Sequence, residues 1–310
     1  MSNQKIKIVS TGRYAPEGVL TNQDFERMVE TSDEWITTRT GIKRRHKAEG
    51  ENAIDLAYKA ALDAIKKSNY DVRKIDLIIV ATITSPVTTP SVANLVQAKL
   101  GLNDKHVMSF DINAACSGFV YALEVASGLL NAGIYKSALV VGTEHMTSIL
   151  DYTDRGTCIL FGDGAGAAIV EKSTDNKDAV WFYNGARGDD GGILWIDPIV
   201  RMDGKEVYKF AVDIMPKAME SVLKQANLTL DDIDLIIPHQ ANLRIIQSVA
   251  KSLNLPLERF LINIEEYGNT SSASIPILLD EYKDTHKEVK RALLIGFGGG
   301  FTWGAAIINV

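Results

Sequence analysis

Cys116, His239 and Asn269 are the residues whose types and settings could together carry out covalent chemistry. Cys116 follows a predicted strand, HVMSFDI, and precedes a predicted helix marked by Phe119, Leu123, Ala126 and Leu130 and ending near Gly133. With Asn113 as N-cap, the thiol falls in the first turn of that helix, facing free backbone N–H groups and the positive end of the dipole. A free thiol titrates near about 8.5, and this setting is expected to lower that value and raise the reactive thiolate fraction. The competing assignment is a small cysteine in an apolar core. His239 ends a predicted strand in IIPHQANLR, where Pro238 stops the strand. Its imidazole is expected to project from the carboxyl end of the strand, where open α/β sheets place ligand sites, unless it is a satisfied structural histidine. Asn269, in EEYGNTSSASIPILLDE, follows a predicted strand, FLINI, and opens another helix, where the alternative is an ordinary N-cap. A nucleophilic thiol with an imidazole and a carboxamide at element ends is what thioester chemistry requires.

The remaining candidates separate from these. Cys158, in RGTCILF, enters an apolar run without a helix start and is expected to be structural. His46 lies in a charged stretch and His286 in KDTHKE, both expected to be solvated, and His106 and His145 have no strand-end placement. The run GFGGGFTWG (296 to 304) joins two apolar strands. It is either a tight turn with close backbone packing or a source of free amides for a thioester oxyanion. GDGAGA (162 to 167) does not have the spacing of a dinucleotide fingerprint and leads into a β-type run, AAIV.

The elements that must position these residues occur twice. Residues 53 to 80 align without a gap on residues 211 to 238, with eleven of the 28 positions identical, including the run IDLII, which is too many for chance pairing of apolar stretches. ALVVG (138 to 142) answers ALLIG (292 to 296), and GAAIV (166 to 170) answers GAAII (304 to 308), in the same order. The second copy lacks a stretch near residues 143 to 160. Each copy has a helix, marked by Ile54, Ala57, Ala61 and Ile65 or by Met215, Met219, Val222 and Leu223, followed by a short, continuously apolar strand. Pro216 marks a first turn or a kink in the second of these helices. Two mixed sheets with helices between and outside them would bury all these faces. The expectation is a layered α/β protein of two pseudo-symmetric halves, 1–172 and 173–310, with a site where they meet. The helix start at Asn269 then corresponds to the one carrying Cys116.

The chain has 310 residues, 46% hydrophobic and 23% charged, and a net charge of −6, which fits a soluble globular protein and gives no basic coat for nucleic acid. No apolar run approaches the roughly 20 residues of a membrane span, and there is no basic-then-apolar leader. Two cysteines make neither a disulfide framework nor a zinc set, so a cytoplasmic protein with reduced thiols and no metal is expected.

The stretches SDEWITTRTGIKRRH, DINAACSGFVYAL, TDRGT, FGDGAGAA, PHQANLRII, GNTSSAS and FGGGFTWG, taken together, resemble β-ketoacyl-acyl-carrier-protein synthase III. These are the condensing enzymes that initiate fatty acid synthesis, within the thiolase-fold superfamily. The resemblance runs nearly end to end and implies the thiolase-like αβαβα fold. Asn269 in GNTS points to the initiating type, since elongating relatives use two histidines. It implies that Cys116 takes an acyl group from acyl-CoA and that His239 and Asn269 stabilise the enolate formed when malonyl-ACP loses CO₂. The N–H groups of Cys116 and Gly299 would form the oxyanion hole.

By the same resemblance Trp35 and Arg155 hold the CoA adenine, with Thr31, Arg39, Gly204 and Asn242 along the nucleotide and pantetheine path. Thr31 and Glu34 can form a capping box that orders the short helix of Trp35. Arg244, Ser248 and Lys251 share a polar helix face, and with Lys209 they form the expected landing patch for the acidic carrier protein. Thr89 stands where some members place a bulky aromatic at the floor of the acyl pocket, across a homodimer interface, and the segment from Gly191 to Gly204 is shorter than in other members. Both leave primer choice open. No cofactor is expected beyond the substrates acyl-CoA and malonyl-ACP. The alternatives are an acyltransferase or condensing enzyme of secondary metabolism, a nicotinamide-dependent oxidoreductase resting on the glycine runs, and a non-catalytic binding protein of this fold.

Overall fold

The structure is a computed structural model that describes residues 4–188, 192–285 and 291–310. Its main sheet has nine strands: Gln4–Tyr14 (β1), Leu77–Ala81 (β2), Met108–Ile112 (β3), Ser137–His145 (β4), Asp163–Lys172 (β5), Ala179–Ala186 (β6), Leu235–Pro238 (β7), Arg291–Gly298 (β8) and Thr302–Asn309 (β9). The order is β7-β8-β9-β6-β1-β5-β4-β2-β3. Only Gln4 opposite Val180 and Lys5 opposite Ala179 join β1 to β6, so the ribbon divides there into portions of five and four strands. Both portions are mixed. β2 is parallel to β3 and β4, and β7 to β8, whereas β5 and β9 run antiparallel to both neighbours.

Side-chain alternation along the strands assigns the layers. Leu77, Ile79 and Val140 of one portion and Ile237, Leu294 and Ile308 of the other share a core with two helices, Gly118–Asn131 and Ser274–Thr285. The intervening residues face outward. Ile78, Val80 and Leu139 meet the helix Ala53–Ser68, and Ile236, Leu293 and Ile295 meet the helices Gly204–Ala226 and Leu243–Ser252. In chain order these five helices are α1 (Ala53–Ser68), α2 (Gly118–Asn131), α3 (Gly204–Ala226), α4 (Leu243–Ser252) and α5 (Ser274–Thr285). The result is the expected αβαβα layering, with α2 and α5 in the middle. Each fully buried Leu or Ile there contributes roughly 1.5–3 kcal/mol.

The repeated sequence does the same work in each copy. α1 and α3 both end on an asparagine in the left-handed conformation, Asn69 (φ 49°) and Asn227 (φ 54°), a shape that asparagine tolerates better than most residues. These are aligned, identical positions of the repeat. Gly142 pairs across the ladder with Gly166, and Gly296 with Gly304. Pro216 proves to be internal to α3, which begins at Gly204, so it marks no first turn. FLINI is not a strand: only Phe260 bridges, to Ile236, leaving the second portion one strand short. The stretch missing from the second copy is Met146–Gly162, which in the first copy lies between β4 and β5.

Candidate active site

The cysteine does not sit in the first turn of α2. β3 ends at Ile112, and a 3-10 turn, Ala115–Ser117, holds Cys116 just ahead of α2. Ala115 is left-handed (φ 46°), and the Asn113 carboxamide accepts weakly from the Ala115 N–H (3.5 Å), so Asn113 caps no helix. The second copy repeats this backbone: a 3-10 turn, Ser271–Ala273, precedes α5, and Ser271 is left-handed (φ 48°). Here Asn269 Oδ1 accepts from the Ser271 N–H at 2.8 Å, which leaves Nδ2 as the end without a partner among the described residues.

Each turn docks on the glycines of the opposite sheet portion. A Cβ on Gly142 would strike the Ser272 carbonyl, and one on Gly298 would come 2.6 Å from the Cys116 nitrogen. That close backbone approach is why glycine is required at both positions.

A cavity of about 880 Å³ opens over the two turns. Cys116, His239 and Asn269 line it and are 8%, 1% and 6% exposed; Arg39, Lys205 and Arg244 line it from exposed positions. Gly298, Gly299 and Gly300 border the cysteine end. Neither the Cys116 nor the Gly299 N–H has a protein acceptor among the described residues, so both are open to a ligand oxygen. His239 Nδ1 meets Ser274 Oγ at 2.7 Å, leaving Nε2 for the cavity. The single Ser274 hydroxyl proton has two acceptors, His239 Nδ1 and Ser271 O (3.0 Å). When it goes to Nδ1, Nε2 carries the ring proton; when it goes to Ser271 O, Nδ1–H donates to Ser274 Oγ and Nε2 is an acceptor. Burial pushes His239 down to about 3, so the ring is neutral at physiological pH.

The chemistry of such a site is acyl transfer, and comparison with known proteins decides the family. Residues 110–188 match the profile for 3-oxoacyl-[acyl-carrier-protein (ACP)] synthase III, and residues 223–310 match its C-terminal profile. The chain is 71% identical over 310 residues, the whole of both chains, to β-ketoacyl-[acyl-carrier-protein] synthase III of Acholeplasma laidlawii. The chain belongs to the β-ketoacyl-ACP synthase III family. It is a condensing enzyme of the acyltransferase class. The crystal structure of 3-oxoacyl-[acyl-carrier-protein] synthase III from Aquifex aeolicus superposes with a TM-score of 0.95 at 45% identity, covering 98% of this chain and 100% of that one. The priming β-ketosynthase from the R1128 polyketide pathway superposes with a TM-score of 0.93 at 34% identity, covering 99% and 97%.

Within this synthase III chain several expectations need correction. The Cys116 thiol is not lowered: burial, the larger cause, and the nearby Glu144 charge push it up to about 12 against its hydrogen bond with Ser271. The helix of Trp35, Asp33–Thr40, is capped by Ser32, whose hydroxyl accepts from the Trp35 N–H at 3.1 Å; Thr31 Oγ1 is buried without a hydrogen-bond partner among the described residues and lies outside the cavity lining. His46 is not solvated: its Nδ1 bonds Pro16 O at 2.6 Å and its ring meets Tyr267. Cys158 is core, as expected, although it ends a four-residue helix. GDGAGA leads into strand β5, not a helix, as read. His286 lies outside the described residues.

The other expected positions divide. Trp35, Arg39, Gly204, Asn242 and Arg244 line the cavity, and Arg39 and Arg155 each place a guanidinium 4.7 Å from the Trp35 ring centre. Lys209 and Lys251 are exposed and off the cavity, with Lys209 paired to Glu206 at 2.6 Å. Ser248 on the same face shares its hydroxyl with Tyr208 (2.7 Å). Thr89 is exposed and does not line the cavity of its own chain. The segment singled out between Gly191 and Gly204 does border the cavity, which the hairpin Leu194–Ile196/Val200–Met202 walls; sequence reasoning missed Glu144, Ser271 and Ser274 behind the site. Glu144 had one visible signal, a carboxylate directly after the apolar run ALVVGT.

Proposed function

We propose that the chain condenses an acyl-CoA primer with malonyl-ACP, releasing CO₂ and CoA, to start fatty acid synthesis. The observation that carries this reading is the convergence of the Cys116 thiol, the His239 ring and the free amide end of Asn269 on one cavity. Cys116 attacks the primer thioester, and its own N–H with that of Gly299 receives the oxyanion, each such donor being worth roughly 10²–10³ in rate. Malonyl-ACP then places its thioester oxygen against Asn269 Nδ2 and His239 Nε2–H, which stabilise the enolate left by CO₂, and the carbanion attacks the acyl-cysteine. A neutral His239 suits this role in the tautomer with its proton on Nε2, in which Ser274 donates to Nδ1, because it then donates a hydrogen bond without a buried positive charge.

The exposed cations Arg39, Lys205 and Arg244 at the rim suit the phosphates of CoA, and Trp35 with Arg155 suits its purine. Arg244 and Lys251 on α4 form the core of the carrier-protein patch. Lys209 adds less, because Glu206 offsets its charge. Thr89 lies on an exposed segment suited to a homodimer interface, through which it would reach the partner's acyl pocket. No helix among the described residues is long and apolar enough to cross a membrane, and we place the enzyme in the cytoplasm.

Intact mass after incubation with acetyl-, isobutyryl- and octanoyl-CoA, followed by peptide mapping, tests the reading. The expected result is an acyl adduct on the Cys116 peptide, with the best chain length reporting the pocket. No adduct with any primer on the folded protein overturns it. Carrier affinity should fall with salt, and equal affinity at low and high salt would remove the docking patch.

A further inference from the structure

The proton of Cys116 has a marked path in this structure, and it leads away from the cavity. The thiol donates to Ser271 Oγ at 3.5 Å, and Ser271 Oγ donates to Glu144 Oε1 at 3.2 Å. Glu144 follows the apolar stretch of β4 and is fully buried. Its Oε2 accepts from Thr84 Oγ1 at 2.7 Å and from the Ile83 N–H at 3.2 Å. Its Oε1 also meets Ser272 Oγ at 2.7 Å, and Ser272 has a second acceptor, Ala81 O, at 2.9 Å. Ser272 can therefore donate to an ionised Glu144, or turn to Ala81 and accept from a protonated one, so the network fits both charge states. Thr82, Ile83 and Thr84 face the carboxyl from one side and Ser271 and Ser272 from the other. Neighbouring His145 sits beside Asp163 (3.8 Å), and among the described residues Glu144 has no ion pair and Cys116 is the titratable group joined to it.

We propose that Glu144, working through the Ser271 hydroxyl, takes the Cys116 proton as the thiol attacks the acyl thioester and returns it when that sulfur is expelled. The inference rests on the acyl-transfer reading above. In acylation the bond from Cys116 Sγ to the acyl carbon forms and the bond from that carbon to the CoA sulfur breaks. The thiol proton moves to Ser271 Oγ as the Ser271 proton moves to Glu144, and the CoA thiolate takes its proton from solvent. In condensation the carbanion displaces Cys116 sulfur, and Glu144 gives its proton back by the same path. One solvent proton is consumed per turnover, as the overall reaction requires.

The electrostatics favour this route over His239. Burial raises Glu144 to about 7, close to the working range, whereas burial lowers His239 to about 3. Transfer to His239 would create a thiolate and an imidazolium from two neutral groups. Transfer to Glu144 moves one existing negative charge, and it cancels the carboxylate charge that helps hold the thiol up. The acyl-enzyme then carries a neutral carboxyl behind the site where the carbanion forms.

Alkylation of Cys116 by iodoacetamide, followed by intact mass across neutral pH, reads the relay without substrate. The wild-type rate should rise as Glu144 ionises near about 7 and then level. Glu144→Gln should slow alkylation at neutral pH by roughly 10²-fold and leave a rate that rises with hydroxide. A role limited to charge or packing has the opposite sign, because removing a carboxylate beside the thiol lowers its pKa and speeds alkylation. Faster or unchanged alkylation in Glu144→Gln overturns the proposal. Should that variant fail to fold, Ser271→Ala, which keeps the other donors to Glu144, takes its place: loss of the rate step near about 7 supports the relay, whereas an unchanged rate, or a slower one that keeps that step, overturns it. If wild-type protein accepts no acyl group yet shows the Glu144-dependent alkylation step, the function reading fails while the relay stands.

Discussion

The turns at Cys116 and Asn269 share a backbone and differ in nearly every side chain that matters. Both are 3-10 turns entered through a left-handed residue, Ala115 or Ser271, and both feed a central helix. In the first, Asn113-Ala114-Ala115-Cys116 presents one reactive atom among small apolar neighbours. In the second, Asn269-Thr270-Ser271-Ser272 places a serine where the first has its cysteine, and the polar groups around it serve the other turn. Ser271 bonds the thiol, Ser272 bonds Glu144, Ser274 bonds His239, and Asn269 presents its amide. On the proposed function, duplication supplies two equivalent platforms, and divergence makes one the nucleophile and the other its hydrogen-bonding frame.

The largest effect should come from removing the one reactive atom. Cys116→Ser is expected to abolish the acyl adduct and lower turnover on the order of 10⁴-fold or more, with an unchanged unfolding midpoint. Full turnover by that variant would contradict the division of labour between the turns. On the other side, His239→Ala or Asn269→Ala should each slow malonyl-ACP decarboxylation by roughly 10²–10³-fold while sparing acylation by acyl-CoA. Measuring CO₂ release and acyl-enzyme formation separately checks this. Loss of both activities in His239→Ala would make the ring the base for Cys116 and break the comparison.

Much of this was legible because the repeat is written in identities: IDLII, the paired ALVVG/ALLIG and GAAIV/GAAII, and the aligned Asn69 and Asn227 map onto equivalent strands and helix ends. Cys116, His239 and Asn269 stood out because each is polar at the end of an apolar element. What escaped notice depends on contacts remote in sequence. Glu144 and Ser271 are 127 residues apart and meet only because each turn docks on the opposite sheet portion. The expected lowering of the thiol pKa fails for the same reason: a helix start is visible in sequence, but the burial beside Glu144 that outweighs it is not. Local capping misled by one residue at Thr31, because Ser32 offers the same hydroxyl chemistry one position on.

The two buried titratable groups also contrast in how they tie stability to pH. Glu144 rises from 4.5 to about 7 on folding, so its contribution is full below 4.5 and is lost as pH rises through about 7, by roughly 3 kcal/mol. His239 falls from 6.5 to about 3, so the unfolded chain binds the extra proton and stability is lost as pH drops below 6.5. Between 4.5 and 6.5 the two slopes oppose. Urea unfolding across pH should show Glu144→Gln gaining stability relative to wild type from below 4.5 to above 7, while His239→Ala gains in the acid direction. Parallel curves for wild type and Glu144→Gln would mean that the carboxyl does not titrate on burial.

The smallest effect concerns the glycines on which the two turns rest. Gly142 and Gly296 occupy equivalent positions, each paired with a partner glycine on the next strand. A Cβ on Gly142 would collide with the Ser272 carbonyl oxygen and stand 2.9 Å from its carbon, whereas on Gly296 its nearest neighbour is Cys116 O at 3.4 Å. Gly142→Ala must therefore displace the Asn269 turn, costing about 1–3 kcal/mol by overpacking. Gly296→Ala makes little more than van der Waals contact and should cost under about 1 kcal/mol. Denaturant midpoints measure the difference, and activity sharpens it. Displacing the Asn269 turn should lower decarboxylation more than acylation, because Asn269 lies on the turn that moves, whereas equal losses would mean that the two platforms shift as one body.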